Sequence, residues 1–231
     1  MNLSKLKTHK KTGKEIIFNQ NGELEIDLNS FWSWSNSELL GNALRGVLAE
    51  YIVSIDIGCK ADIREEWDSY DLLSPEEIKV EVKSAAYLQS WEQDKYSAIS
   101  FGIQPTRGWD AITKSYVNET KRQADVYVFC LLNHKDKATV NPMNLEQWTF
   151  YVLTASVLNK KIPRQKKIVL SSLLKLNPIE VKFGGIHEAI KYWPVMNRLL
   201  LFFVAQNINL FGAIKCIKTS LEGTRSIWKR Q

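Results

Sequence analysis

The chain has 231 residues, enough for one domain with a sizeable core or for one domain with a small appendage. Its composition is 45% hydrophobic and 24% charged, with 11 Gly and 6 Pro, which excludes a collagen-like, low-complexity or wholly disordered chain. Its 31 Lys and Arg residues outnumber the 25 Asp and Glu residues and leave a net charge of +6. This balance suits a polyanionic partner such as nucleic acid.

Cysteine usage and hydropathy disfavour several classes of protein. The three cysteines lie far apart and form no C-x-x-C pair, so neither a disulfide framework nor a zinc knuckle is expected, and a reducing, cytoplasmic compartment fits best. The basic N-terminus lacks the apolar segment of a secretory signal. No apolar stretch approaches the ~20 residues that span a bilayer, so the sequence predicts a soluble protein without a membrane partner.

The first strong signal is a helix that follows a basic N-terminal arm and lead-in at residues 1–30. The helix is expected to begin at Ser35, which is followed by Glu38 at the spacing of a capping box. Apolar residues then recur at helical spacing along one stripe: Leu40, Leu44, Val47, Leu48 and Tyr51. Glu50 lies about 100° from the centre of this stripe, at the edge of the buried face, where a partly desolvated carboxylate needs a partner.

A β-hairpin is predicted next. Residues 67–73 and 78–84 are two β-rich runs joined by Ser-Pro-Glu-Glu, a connection of common hairpin length. The second run, IKVEVKS, alternates strictly, so its apolar side chains face one side of the strand and its charged side chains face the other. This alternation predicts a strand that is buried on one face.

Later segments complete a mixed α/β core. Residues 98–103 are expected to form a third strand, and the polar residues 114–122 a helix. Residues 125–132 are almost continuously apolar, as expected for a central strand buried on both faces, and residues 148–154 are a further strand candidate. The order of elements predicts a central β-sheet flanked by helices.

The candidate site lies on the predicted hairpin. Asp71 is near the end of the first strand, while Glu81 and Lys83 are one residue apart on the same face of the second. Cross-strand neighbours have Cβ atoms ~5 Å apart, and two carboxylates that close repel each other unless a cation lies between them. The pattern predicts a divalent metal site, in which Lys83 can contact a phosphate oxygen or the attacking water.

The same pattern has an alternative interpretation, because a Glu-x-Lys pair on one strand face is usually a solvated strip of charge. The tripeptide Glu180-Val181-Lys182 serves as an internal control. It repeats the residues of the candidate site but has no acidic strand partner upstream, so we expect it to carry no site.

With its context, the hairpin resembles the PD-(D/E)XK nuclease superfamily, whose members have a restriction-endonuclease-like fold. The resemblance covers residues 36–132 and consists of Glu50 on the first helix, Asp71 in SYDLL and Glu81-Val82-Lys83 in IKVEVKS. Tyr70 stands at the position where a proline usually precedes the aspartate, although many members lack that proline.

The resemblance implies a fold, an activity and partners. Residues 31–158 would form the nuclease core, with a central mixed β-sheet flanked by helices, and residues 159–231 a C-terminal extension that contacts DNA or forms a dimer. The implied activity is Mg²⁺-dependent endonucleolytic hydrolysis of DNA, in the service of restriction or defence. A homodimer is expected because one site per chain has to cut two strands, and a methyltransferase or another defence protein is a candidate partner.

The resemblance also assigns roles within the hairpin. Asp71, Glu81 and the backbone carbonyl of Val82 would bind Mg²⁺, for which Mn²⁺ can substitute. Lys83 would orient the attacking water and stabilise the charge that builds on the phosphate. Glu50 would hold a second metal ion or one of its waters.

Two of the assigned residues have an alternative. Glu50 would otherwise form a salt bridge at the helix edge, with Arg45 as the candidate partner. Gln89 matches a position where several members of the superfamily place a glutamine near the site, and is otherwise a plain polar residue.

Contacts to DNA are expected outside the hairpin. Arg107, in a loop after the third strand, could present its guanidinium to the nucleic-acid backbone. The densest basic cluster would grip phosphates and consists of Lys160, Lys161, Arg164, Lys166 and Lys167. A solvated loop is the alternative for both segments.

Two other functions stay open at this point. One is a nuclease of DNA repair, recombination or RNA with the same site, and the other is a non-catalytic nucleic-acid-binding module of the same fold. The clustered acidic residues argue against the module, because a protein that only binds a polyanion has no need of carboxylates that face it.

Overall fold

The computed structural model of the protein describes residues 6–59, 63–64, 69–110 and 115–191. Residues 67–68 of the first predicted hairpin strand and residues 192–231 of the predicted extension lie outside the described residues. Among the helices within these ranges, none combines the length and the apolar character needed to cross a bilayer.

The N-terminal segment contains a hairpin and a helix that the sequence did not predict. The antiparallel strands β1 (Ile16–Asn19) and β2 (Gly22–Asp27) lead directly into α1 (Leu28–Asn36). Asp27 caps this helix, since its carboxylate accepts a hydrogen bond of 2.8 Å from the amide of Ser30. The Trp-rich segment therefore lies within a helix of its own.

The second helix begins later than predicted. α2 (Asn42–Asp56) follows the cap residue Gly41, whereas Ser35 lies inside α1, so the predicted capping box is wrong. Glu38 instead holds the short link between the two helices. Its carboxylate accepts hydrogen bonds from the amides of Leu40 and Gly41.

The buried face of α2 is also rotated from the predicted stripe. Tyr51 and Val47, which the stripe includes, are exposed. The buried residues of the helix are Arg45, Ala49, Ile52 and Val53. A count of large apolar residues missed this face because a small alanine and the hydrogen-bonded guanidinium of Arg45 fill much of it.

The remaining strands, in chain order, are β3 (Leu72–Leu73), β4 (Lys79–Ala86), β5 (Ser100–Gly102), β6 (Thr106–Asp110), β7 (Ser115–Lys121), β8 (Val126–Leu132), β9 (Trp148–Thr154), β10 (Lys167–Val169) and β11 (Ile179–Val181). The later helices are α3 (Ala155–Lys161) and α4 (Leu170–Leu174), and residues 186–191 are also helical. Five strands form the central sheet in the order β11-β9-β8-β4-β3. β4 and β8 run parallel and the other neighbours antiparallel, so the predicted mixed α/β fold with a central mixed sheet flanked by helices is confirmed.

The core lies on both faces of this sheet. β8 and β9 are buried along their whole length, and the alternating valines of β4 pack with apolar residues of α2 on one face. On the other face, the ring of Phe129 in β8 meets the ring of Phe101 in β5 at 5.1 Å between centroids. Because side chains alternate along a strand, Glu81 and Lys83 lie on the face opposite to α2.

Two predicted elements differ from the structure. The helix expected at residues 114–122 is wrong, since β7 pairs antiparallel with β6. The polar character of the segment concealed a strand that its Tyr, Val and Thr residues favour. The strand expected at residues 98–103 is reduced to β5, which pairs with β10 outside the central sheet. The strands predicted at residues 125–132 and 148–154 are confirmed as β8 and β9.

Candidate active site

The hairpin of β3 and β4 is set by its turn. Ser74 accepts hydrogen bonds at its hydroxyl from the amides of Glu76 and Ile78, and its own amide donates to the carbonyl of Ile78. Glu77 adopts a left-handed conformation with φ of 62°. These contacts fix the register in which Leu72 lies opposite Val80.

This register puts Asp71 beside Glu81. Asp71 comes just before β3, and its amide donates a hydrogen bond of 3.1 Å to the carbonyl of Val80, the residue before Glu81. The Oδ2 atom of Asp71 accepts a hydrogen bond of 2.7 Å from the amide of Val82, which ties the carboxylate to the middle of β4. The aspartate is therefore held in place from the backbone of the strand that carries Glu81.

Lys83 lies on the same face and is paired within the site. Its Nζ atom donates to Oε1 of Glu81 at 2.5 Å, and the side chains of the two residues are 30% and 20% exposed. An ammonium group and two carboxylates thus share one partly exposed patch of the sheet.

The raised pKa of Asp71 indicates that it is buried close to other negative charges. Burial is the largest effect and, with the nearby charges of Glu81 and Glu50, raises the pKa of Asp71 to about 6. The charge of Lys83 and the hydrogen bond from Val82 lower it, but they do not cancel the increase. A divalent cation would relieve this accumulation of negative charge.

Glu50 lies on α2, which packs against the face of β4 opposite to Glu81, but its charge still contributes to the raised pKa of Asp71. Its side chain is 13% exposed and forms an ion pair with Arg64 through two contacts, of 2.5 Å and 3.2 Å. The sequence suggested Arg45 as the partner of Glu50, and this prediction is wrong. The buried guanidinium of Arg45 donates instead to Ser84 and Gln89, among other groups.

Gln89 is buried in a different network. Its amide nitrogen donates to the carbonyl of Ala86 and the hydroxyl of Ser97, and its oxygen accepts from Arg45. None of the hydrogen bonds that it makes in the described part of the chain reaches the hairpin carboxylates. Gln89 connects the loop after β4 to α2, and its catalytic role stays a prediction.

The carboxylates suit a hard cation better than zinc. Within the described residues, no three His, Cys, Asp or Glu side chains come together as a ready metal-binding group. Mg²⁺ commonly takes only one or two protein carboxylates and keeps several waters, whereas zinc sites use three or four protein ligands. Asp71 and Glu81, with Glu50 further out, fit the former.

The basic residues predicted to contact DNA are exposed. The cluster predicted to grip phosphates is exposed throughout and consists of Lys160, Lys161, Arg164, Lys166 and Lys167. Arg107 is exposed too, but it lies on β6 and not in a loop.

Sequence reasoning missed the residue that holds this surface. Arg122 is buried, and its guanidinium donates to the carbonyls of Ile103 and Ile162 and to the side chain of Asn159. It therefore fixes the backbone that follows α3. A lone arginine at the end of a polar segment gave no signal of this role.

A second residue that was missed is Tyr127 on β8, the direct neighbour of Glu81 in the parallel pairing. The only sequence signal was a phenol within an otherwise apolar central strand. Its hydroxyl lies close enough for the charges of Glu81 and Asp71 to act on it.

A mixed α/β sheet that carries such an acidic hairpin, in a chain with an exposed basic cluster, points to a nuclease. The model of the bacteriophage T4 endonuclease IV family matches residues 27–171, more than half of the chain. The chain belongs to this family of endonucleases. The matched residues include the whole hairpin and end before Glu180-Val181-Lys182. None of the curated proteins is similar enough to the chain to count as a match.

Proposed function

We propose that the protein is a Mg²⁺-dependent endonuclease of the PD-(D/E)XK type that hydrolyses DNA phosphodiester bonds at the hairpin. The observation that carries the proposal is the fixed pair of carboxylates, with Asp71 bonded to β4 beside Glu81 and Lys83 on the same face. Membership of an endonuclease family supports the reaction class.

Each residue of the hairpin has a role that follows from its position. Asp71 and Glu81, with the carbonyl of Val82, would hold the ion, and Glu50 would add a carboxylate from α2. When bound, Mg²⁺ supplies charge neutralisation at the phosphate and lowers the pKa of the attacking water. Asp71 needs no reorientation for this task because the amide of Val82 already holds it.

Lys83 contributes positive charge next to the carboxylates. Its ammonium group is partly exposed, so it can contact a phosphate oxygen or the attacking water as well as Glu81. Negative charge that builds on the phosphate during hydrolysis is then stabilised from the protein side.

The substrate would be gripped outside the hairpin. Lys160, Lys161, Arg164, Lys166 and Lys167 offer a dense positive surface whose backbone is fixed by Arg122, and Arg107 offers a further guanidinium. Contacts of lysine and arginine to phosphates give affinity without sequence selection, and that affinity falls with salt.

Cleavage assays with matched variants test the proposal. Plasmid, linear duplex, single-stranded DNA and RNA are incubated with protein in Mg²⁺, Mn²⁺ or EDTA. We expect metal-dependent cutting of closed-circular DNA, which only an endonuclease can start. Asp71→Asn and Glu81→Gln should abolish cutting, whereas Glu180→Gln should not. Equal activity of Asp71→Asn and wild type would sink the proposal, and binding without cutting would favour a non-catalytic module.

We also propose a homodimer that acts in the cytoplasm in restriction or defence, because a single site per chain must cut two strands of foreign DNA. Light scattering on the purified protein should give twice the chain mass. Cells that express the wild type should accept unmodified plasmid DNA less well than cells that express Asp71→Asn. A monomer, or equal transformation of both, contradicts the respective part.

A further inference from the structure

Tyr127 occupies the position next to Glu81 on the neighbouring strand. β4 and β8 are parallel, and their register pairs Glu81 with Tyr127. Neighbouring strands lie ~4.8 Å apart and paired residues point to the same face. The phenol and the carboxylate therefore extend from the same side of the sheet, side by side.

The hydroxyl of Tyr127 makes no hydrogen bond within the described part of the chain. The residue is 3% exposed, and among the described residues none donates to this hydroxyl or accepts from it. Buried hydroxyl groups are almost always hydrogen-bonded, so an exception calls for an explanation. The ring stacks on Phe129 with 5.8 Å between centroids, which keeps the phenol from turning away.

Glu81 has a carboxylate oxygen that makes no hydrogen bond to the residues that the structure describes. Its Oε1 accepts from Lys83, while Oε2 has no hydrogen bond to any residue of the described ranges. Two neighbouring positions thus present an unused donor and an unused acceptor on one face of the sheet.

The phenol of a tyrosine is protonated at neutral pH, so the hydroxyl of Tyr127 can donate a hydrogen bond.

We propose that Tyr127 is a positioning residue of this site: when a divalent metal ion is bound, its hydroxyl donates a hydrogen bond to the Glu81 carboxylate and orients that carboxylate toward the ion. The inference rests on the proposed function, since it takes Glu81 as a metal ligand. Groups that hydrogen-bond to metal ligands commonly change metal affinity by about 10- to 100-fold when they are removed.

The chain provides a matched control in Tyr151. This tyrosine lies on β9 of the same sheet, is 6% exposed, and also makes no hydrogen bond through its hydroxyl within the described residues. It pairs with Glu180 of the second Glu-Val-Lys tripeptide. Tyr151→Phe therefore removes the same atom beside a glutamate that lies outside the site.

The test compares Tyr127→Phe and Tyr151→Phe in the full chain. Mn²⁺ binding is followed by the electron paramagnetic resonance of the free ion, thermal unfolding is measured in EDTA, and cleavage is titrated with Mg²⁺. We expect Tyr127→Phe to weaken Mn²⁺ binding and to raise the Mg²⁺ needed for half-maximal cleavage, both by about 10-fold or more. Its melting temperature in EDTA should be equal to or above that of wild type. Tyr151→Phe should leave metal binding unchanged.

Three outcomes would overturn the inference. Unchanged Mn²⁺ affinity in Tyr127→Phe, while the wild type binds and cuts, refutes the role of the hydroxyl and leaves the nuclease proposal intact. A lower melting temperature of Tyr127→Phe in EDTA shows that the hydroxyl already has a structural partner. A wild type that neither binds Mn²⁺ nor cuts DNA refutes both proposals together.

Discussion

The tripeptide Glu-Val-Lys occurs twice in the central sheet, in very different surroundings. Glu81-Val82-Lys83 lies on β4, beside the short edge strand β3, and Glu180-Val181-Lys182 lies at the opposite edge, on and just after β11. Lys83 donates to a carboxylate, whereas Lys182 donates to the backbone carbonyls of Trp148 at 2.6 Å and Glu146 at 3.1 Å. One lysine belongs to a cluster of charges and the other closes a backbone turn.

The difference lies in the strand opposite each tripeptide. Asp71 lies near Glu81 and is held by the Val82 amide, whereas Glu180 is paired with Tyr151. The same three residues therefore form part of a cluster of charges in one place and a structural contact in the other. A short motif acquires chemical meaning only from what the adjacent strand and helix bring to it.

The largest expected effect separates the two lysines. Lys83→Ala should lower the rate of cleavage by about 100-fold or more, because charge on the phosphate loses its protein partner. Lys182→Ala should leave cleavage unchanged and lower the free energy of unfolding by about 1–2 kcal/mol, because two carbonyls lose their donor. Rates under saturating Mg²⁺ and urea unfolding curves measure the two effects. Equal losses of activity in Lys83→Ala and Lys182→Ala would show that the two edges of the sheet do not differ in function.

A smaller effect is expected at α2. Glu50→Gln removes a charge that acts on Asp71 and should lower the cleavage rate by about 10-fold, with partial recovery at high Mg²⁺. Asp56 on the same helix is the control, since it accepts hydrogen bonds from the amides of Ile186 and His187, among others, away from the hairpin. Asp56→Asn should change stability and spare the rate. If Asp56→Asn slows cleavage as much as Glu50→Gln does, the helix has only a supporting role.

The sequence predicted the parts of this molecule whose signals are local. The alternation of residues 78–84 and the apolar run at 125–132 were sufficient to predict β4 and β8, and the turn between the hairpin strands fixed which residues face each other. The proximity of Asp71 to Glu81 could be predicted because a hairpin register depends on turn length.

Features that depend on distant contacts could not be predicted in the same way. The face that α2 buries depends on a guanidinium that bonds to Ser84, some forty residues away in the chain. The strand β7 forms because β6 pairs with it, although its composition is polar. Tyr127 meets Glu81 only through a parallel pairing, for which no turn sets the register.

The salt dependence of DNA binding tests whether the basic cluster contacts DNA. It connects to the β4 side of the sheet, because β10 pairs with β5 and β5 contacts β4. Replacing Lys166 and Lys167 with Gln should weaken DNA binding several-fold and reduce the slope of log affinity against log salt by about 0.7–0.9 per charge. Lys175→Gln, an exposed lysine outside the cluster, should change neither. Filter binding over a range of salt concentrations measures the slope, and equal slopes for all variants would exclude the cluster from the DNA contact.

The smallest effect is on stability without metal, and its sign follows from the raised pKa of Asp71. With a folded-state pKa of about 6 against an ordinary value of 3.8, the folded protein favours the protonated carboxyl. The contribution of Asp71 to stability therefore falls as pH rises from about 4 to about 6 and stays low above that range.

Asp71→Asn keeps an acceptor for the Val82 amide and removes the charge. In EDTA it should exceed the wild type in free energy of unfolding by about 1–2 kcal/mol at about pH 7.5, and by less at about pH 4.5. Glu180→Gln at the other edge should show no such difference, and a pH-independent gain in Asp71→Asn would mean that packing, and not charge crowding, distinguishes the two edges.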